Sequence, residues 1–267
     1  ALDHRNRTEL STTKRLFVQA IDGCVLNLMA AVLSFSSCGE RSQVPTAKML
    51  GFPLRQARSL LAFWRLGMID HVCVSLPSRV AFLEKHGIPS KILPAGYGTW
   101  YGALDRNSAR DIDVLFLGRV PPRRKRLLTG IERELRTYGY ALQIVDRNCY
   151  GEQRTVLLNR AKILLNIHNF PWEFPLMRLF MAMSCGALVV AEAAGEHPVL
   201  FDERHLVVRP IGEIVEAMVT YLENEKMRNQ LTAAAHSRVT QELTLEQLFP
   251  AMLTDLAVAN VNRHINV

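Results

Sequence analysis

From residue 112 onward the sequence repeats one pattern: a short run that is almost wholly apolar, a helical stretch, then another such run. The runs are "IDVLFL" (112–117), "ALQIV" (141–145), "ILLNI" (163–167), "ALVVA" (187–191) and "HLVV" (205–208). The clearest helical stretches between them fall at 123–138, 152–161 and 176–185. A strand with one wet face alternates apolar and polar residues, whereas a strand apolar on both faces has to be covered on both sides. Such strands, separated by helices, predict a parallel sheet with right-handed crossovers, a doubly wound α/β domain of five strands over 112–208. After residue 211 the pattern turns purely helical, through "GEIVEAMVTYLEN", "KMRNQLTAAAHSRVTQE" and "TLEQLFPAMLTDLAVANV".

Upstream, "HVCVSL" (71–76), "SRVAFLEKHG" (78–87) and "SKILP" (90–94) read as strand, helix and strand, one further βαβ unit. "PLRQARSLLAFWRLG" (53–67) reads as an amphipathic helix, with Pro near its start and Gly just past its end. The Gly-rich stretch 94–111 is the best linker. The expected division is a partial N-terminal α/β domain at 1–95, a linker at 96–110, a Rossmann-like domain at 111–245 and a C-terminal helix at 246–267. The chain begins at Ala1 rather than Met and is expected to be trimmed or to lack upstream sequence.

Lys and Arg exceed Asp and Glu by 32 to 25, giving +7. That excess suits an anionic small ligand, nucleic acid or an anionic membrane about equally. A nucleic-acid role would rest only on the basic balance and on "RRKR" (123–126), without interleaved aromatic residues, so none is expected. The longest uncharged stretch, "GCVLNLMAAVLSFSSCG" (23–39), is shorter than the about 20 residues of a spanning helix and reads as buried helix or strand–turn. A membrane contact is left open but unsupported. Cysteines 24, 38, 73, 149 and 185 form no CxxC pair and no metal spacing, the pattern of reduced cysteines in a cytoplasmic protein. No signal peptide, metal or other cofactor is expected.

Chemistry-bearing residues gather where buried elements end. In "LLNIHNFPWEFPLMRLFMAMSCGALVVAE" (164–192), Asn166, His168 and Glu173 follow one strand, Arg178 opens the next helix, and Glu192 ends the next strand. Ligands of an open parallel sheet bind beyond those strand ends, near the switch in strand order. A cation in the first turn of a helix opposes the helix dipole and calls for an anion. For Arg178 that anion is either Glu173 or Glu192 in a structural salt bridge, or a ligand's phosphate or carboxylate. His168 reads either as a hydrogen-bonded core histidine or as a ligand contact. "VLFLGRVPPRRKR" places Gly118 directly after a strand, then Arg119, then a basic knot leading into a helix. Glycine permits close approach, a helix N-terminus offers free N–H groups, and Arg or Lys adds charge. The pattern is neither GxGxxG nor GxxxxGK[ST]. A diphosphate held by Gly118, Arg119 and Lys125 or a neighbour is one reading, and a solvated helix face is the other.

Together these stretches resemble the C-terminal, donor-binding half of GT-B glycosyltransferases, in the group-1 branch that includes spore-maturation-like proteins. The resemblance is carried by "DIDVLFLGRVPPRRKRLL" (111–128), "AKILLNIHNFPWEF" (161–174) and "RLFMAMSCGALVVAE" (178–192), and continues through "LFDERHLVV" into the helical tail. "GIPSKILPAGY" (87–97) is similar to the family's exit from its N-terminal domain, so residues 68–245 are covered. The resemblance implies a two-domain GT-B-like fold whose N-terminal domain is here reduced or truncated, with 111–245 binding the nucleotide sugar. It implies that Gly118, Arg119 and Lys125 meet the diphosphate. Of the family's Glu-x7-Glu pair, the first member matches Glu173 and the second falls on Met181. Methionine cannot accept hydrogen bonds from ribose hydroxyls, so ribose recognition is either moved, to Glu192 for example, or lost.

The function so implied is transfer of a sugar from a nucleotide-diphosphate sugar to a glycan, lipid or protein acceptor. Arg119, Lys125 and Arg178 would stabilise the departing diphosphate. Glu173 would orient the sugar and His168 would touch sugar or phosphate, which makes these two the catalytic candidates. Gly118, Arg119, Lys125, Asn166, Arg178 and Glu192 are the substrate-binding candidates, with no metal and no cofactor. The alternative is a non-catalytic, glycosyltransferase-like binding or scaffold module, favoured by Met181 and the short N-terminal region.

Overall fold

The computed structural model of the 267-residue chain describes residues 16–18, 60, 63–66, 69, 71–74, 77–92, 96–168, 176–193 and 199–250. The chain divides into two compact units, one built on the N-terminal part and one spanning Ala95–Ala251. In the first, β1 (Leu16–Val18), β2 (His71–Val74) and β3 (Ser90–Ile92) form a parallel sheet in that order, with helix α1 (Pro77–Lys85) crossing between β2 and β3. This is the expected βαβ unit plus one strand, β1, that was not expected. Leu60, Ile69, Val72, Val74, Leu83 and Ile88 make its core. Of the expected helix over 53–67, residues 60 and 63–65 are helical; the 23–39 stretch lies outside the described residues.

The second unit holds the expected doubly wound sheet. Its strands are β4 (Ile112–Leu117), β5 (Leu142–Val145), β6 (Ala161–Asn166), β7 (Leu188–Glu192) and β8 (Val207–Arg209), all parallel, in the order β5-β4-β6-β7-β8. Helices α2 (Pro122–Thr137), α3 (Gly151–Arg160), α4 (Leu176–Ser184) and α5 (Ile214–Glu223) connect and follow them. The tail continues as α6 (Glu225–Ser237) and a π-helical turn, Arg238–Glu242. Val114, Phe116, Ile163, Leu165, Leu188, Val190 and Val207 form one core with α2 and α5. Leu115, Leu117, Leu164, Val189 and Ala191 form another with α4, Leu158 of α3 and Val239 of the tail. Side chains alternate between faces along a strand, so residues apolar at every position fill both cores.

β8 starts two residues later than expected because a turn occupies the start of that run. Asp202 Oδ1 accepts from the amides of Glu203 and Val208, at 3.0 and 2.7 Å, and buried His205 accepts from the Phe201 amide through Nδ1 at 3.2 Å. The stretch expected as a linker, 96–110, is part of the second unit and is tied to its other elements. Tyr97 pairs by backbone with Leu243 and Leu245, and Arg110 donates to the carbonyls of Ala161 (2.5 Å) and Cys185 (2.7 Å).

Candidate functional site

The strand order fixes where a crevice opens. The chain runs from β4 outward to β5 and then returns to place β6 on β4's other side, so the switch in direction lies between β4 and β6. Gly118 follows β4 and Asn166 ends β6, so the two stand on either side of that switch.

Gly118 has φ +130°, a conformation that side chains rarely adopt, and a Cβ there would stand 2.8 Å from Nη2 and 3.3 Å from Cζ of Arg178. The room that glycine leaves is therefore filled by a guanidinium. The turn's amides are also engaged: Gly118 N–H donates to Val145 O at 2.9 Å and Val120 N–H to Asp146 Oδ1 at 2.8 Å.

Arg178 is the one residue of α4 that is only partly buried. Its Nη1 donates to Asn166 Oδ1 at 3.1 Å. Guanidinium nitrogens only donate, so this bond fixes which way the Asn166 amide faces. The Asn166 side chain is 0% exposed, and its Nδ2 has no hydrogen-bond partner among the described residues. The Arg178 Cζ lies 5.8 Å from the ring centroid of Phe116, within cation–π range. Phe116 belongs to the core on the α2 side while α4 packs on the opposite face. Arg178 thus reaches over the end of β4 from one face to the other, across the position that has no side chain. Arg124 of α2, itself 5% exposed, places its Cζ 5.7 Å from the same ring and donates through Nη1 to Arg119 O at 3.0 Å.

Beside this set, Glu192 is 5% exposed and paired with Arg123, which donates to both carboxylate oxygens and, at 2.8 Å, to His168 O. Glu192 Oε2 also accepts the His168 amide at 2.9 Å, and the His168 ring donates from Nε2 to Glu192 O at 2.7 Å. Burial holds the His168 imidazole below its usual pKa, which keeps it neutral with the proton on Nε2. The cation that pairs with Glu192 is therefore Arg123, and the carboxylate oxygens lock β6, β7 and α2 together at the rim.

Of the candidates read from sequence, the structure brings Gly118, Asn166 and Arg178 into contact, and joins His168 to Glu192 in the adjoining network. Arg119 and Lys125 are exposed on the turn and on the first turns of α2. Glu173 lies outside the described residues. Met181 is 8% exposed inside the apolar core of α4. Sequence reasoning passed over Phe116, and took Arg123 and Arg124 only as part of the basic knot. A signal for Arg124 existed: it stands four residues before Leu128, on the stripe Leu128, Ile131 and Leu135 that α2 buries.

A family model described as glycosyl transferase-like matches residues 114–254. The chain belongs to this glycosyl transferase-like family. No curated protein matches the chain. Among solved structures, it is similar to TarM of S. aureus (10% identity, TM-score 0.59), covering 76% of this chain and 46% of TarM. Sucrose-phosphate synthase of Thermosynechococcus elongatus gives 16% identity and a TM-score of 0.55, covering 82% of this chain and 64% of that one. HepE of Anabaena, solved in complex with UDP-glucose, gives 10% and 0.53, covering 71% and 64%. The chain thus spans about half of TarM and less than two thirds of the other two.

These likenesses establish a GT-B, group-1 glycosyltransferase fold. The spore-maturation-like branch rests on the sequence resemblance alone. Among the described residues of this glycosyl transferase-like chain, no group of three His, Cys, Asp or Glu side chains could hold a metal ion, and no helix is long and apolar enough to cross a membrane.

Proposed function

We propose that the second unit binds a nucleotide-diphosphate sugar at the β4–β6 switch and that the chain passes the sugar to an acceptor, a glycan, lipid or protein. The observation that carries this reading is the Arg178 guanidinium, held between Gly118 and Asn166 at the point where open α/β sheets take their ligands. Departure of a diphosphate develops negative charge, and a cation already fixed in place stabilises it without reorganising. Arg119 and Lys125, exposed beside the turn, add positive charge to the same rim. Glu173 is assigned to the sugar hydroxyls, and His168 to contact with sugar or phosphate. HepE, which shares the fold, is solved with UDP and with UDP-glucose. A cytoplasmic location belongs to the same proposal and rests on the scattered cysteines.

The test is calorimetry and thermal shift with UDP, GDP, ADP and their sugar conjugates. A ligand at 100 times its dissociation constant adds about 2.7 kcal/mol of stability. If none of them binds at millimolar concentration, the reading fails.

A second reading, a glycosyltransferase-like module without turnover, draws on one observation. Met181 is packed in the core and both carboxylate oxygens of Glu192 are engaged by Arg123, so neither position offers a spare carboxylate oxygen to ribose. Binding of a UDP-sugar with no release of UDP, whether to water or to a panel of glycan, lipid and peptide acceptors, would favour it.

A further inference from the structure

In a glycine-turn anion site the phosphate approaches the backbone and takes its N–H groups. Here that route is closed at two points. The amides of Gly118 and Val120 are given to Val145 O and Asp146 Oδ1, and the space over Gly118 is taken by the Arg178 guanidinium. The guanidinium in turn has a defined seat: Phe116 under it, Gly118 against it, and Asn166 Oδ1 on Nη1 at 3.1 Å. Asn166 is fully buried, yet its Nδ2 has no partner among the described residues. A buried amide satisfied on one side only is uncommon in folded proteins and calls for a specific cause. An anion drawn to Arg178 supplies one: its oxygens accept from the guanidinium and from Nδ2 together.

We propose that Arg178 reads the ligand's phosphate in place of the turn's backbone amides, and that Asn166 is its positioning residue. The proposal rests on the nucleotide-binding reading of this site and specifies how the phosphate is recognised. Asn166 sets the plane of the guanidinium and adds the second donor, so phosphate recognition depends on the fork shape of arginine and on a neutral amide beside it. An isosteric carboxylate at 166 would hold Arg178 equally well, but would cancel its charge and remove the second donor.

The experiment is calorimetry with UDP on the wild-type chain and on Asn166→Asp, Arg178→Lys and the double variant, with the melting temperature of each. We expect Asn166→Asp to melt within a few degrees of wild type while its affinity for UDP falls about tenfold or more, the scale of one charge-assisted hydrogen bond. Arg178→Lys should lose about as much, since a point charge cannot reproduce the fork. The double variant should lose less than the two single losses combined, because part of the effect of Asn166 runs through Arg178. Wild-type affinity in Asn166→Asp overturns the proposal, and so do losses that simply add. Should Asn166→Asp fail to fold, Arg178→Lys decides by itself: undiminished affinity in it overturns the proposal. A wild-type chain that binds UDP while the variants bind equally well sinks this proposal alone. A wild-type chain that binds none of UDP, GDP and ADP sinks the nucleotide reading and this proposal with it.

Discussion

Arg178 changes what a glycine at position 118 is for. The absent side chain makes room for a guanidinium from the opposite face of the sheet, and the φ of +130° adds a backbone requirement of its own. Gly118→Ala is expected to cost on the order of 1–3 kcal/mol in urea unfolding, from backbone strain and from pushing Arg178 aside. An alanine variant of unchanged stability would show that the guanidinium sits elsewhere. Glu192 invites a different test, since it is buried and its partner Arg123 is half-buried. Glu192→Ala leaves that cation and the His168 amide without their acceptor, and a loss of about 3 kcal/mol is expected from breaking such a pair. His168, His205 and His236 are all held below the usual imidazole value of 6.5, in each case chiefly by burial. Below that value the unfolded chain takes up protons that the folded chain refuses. Their contribution to stability is therefore complete above pH 6.5 and is lost as the pH falls through the folded values. Urea midpoints measured from about pH 7.5 to 5 should decline below about 6.5; a flat profile would contradict the burial of these rings.

Elements are tied down at the far end of the sheet as well. Arg110 closes the start of β6 and the end of α4, with Nη1 on Ala161 O and Nη2 on Cys185 O. Gly186, with φ +72°, leaves the space that the guanidinium needs. Arg110→Met should destabilise the second unit by about 2–3 kcal/mol, the scale of orphaning buried acceptors of a charged donor. UDP affinity should stay unchanged, because the substitution lies at the opposite end of the strands from Gly118 and Asn166. A matching loss of affinity would mean that the two ends are coupled. Sequence alone disclosed the elements of this unit well, for a physical reason: strands covered on both faces are apolar at nearly every position, and here they alternate with helical stretches. It did not disclose Arg110, because a Gly-rich stretch reads as linker whether or not one of its side chains docks. Nor did it disclose β1, three residues within the polar context "TTKRLFVQA". At the site the rim positions were legible from the ends of strands. The division of labour within "RRKR" was not, since it depends on helical phase: Arg123 turns to Glu192, Arg124 lies under the turn, and Lys125 faces solvent.

For the molecule as a whole, the five-stranded sheet should set the order of protection. β4, β6 and β7 are each paired on both sides, whereas β5 and β8 are edges. Native-state hydrogen exchange is expected to be slowest at Ile112–Leu117, Ala161–Asn166 and Leu188–Glu192, with the edge strands opening first. Slower exchange in Leu142–Val145 than in Ala161–Asn166 would place the stable centre elsewhere. The same pairing also governs time. Val114 lies between Leu142 and Ile163, and Val190 beside Val207, so no strand of this sheet meets a neighbour until a helix-sized loop has closed. Loop closure has to precede every contact that rewards it, and chains of this kind fold slowly. While they do, the apolar runs that identify the fold stand open as strand edges, so the second unit should refold in good yield only when dilute and should clump when concentrated.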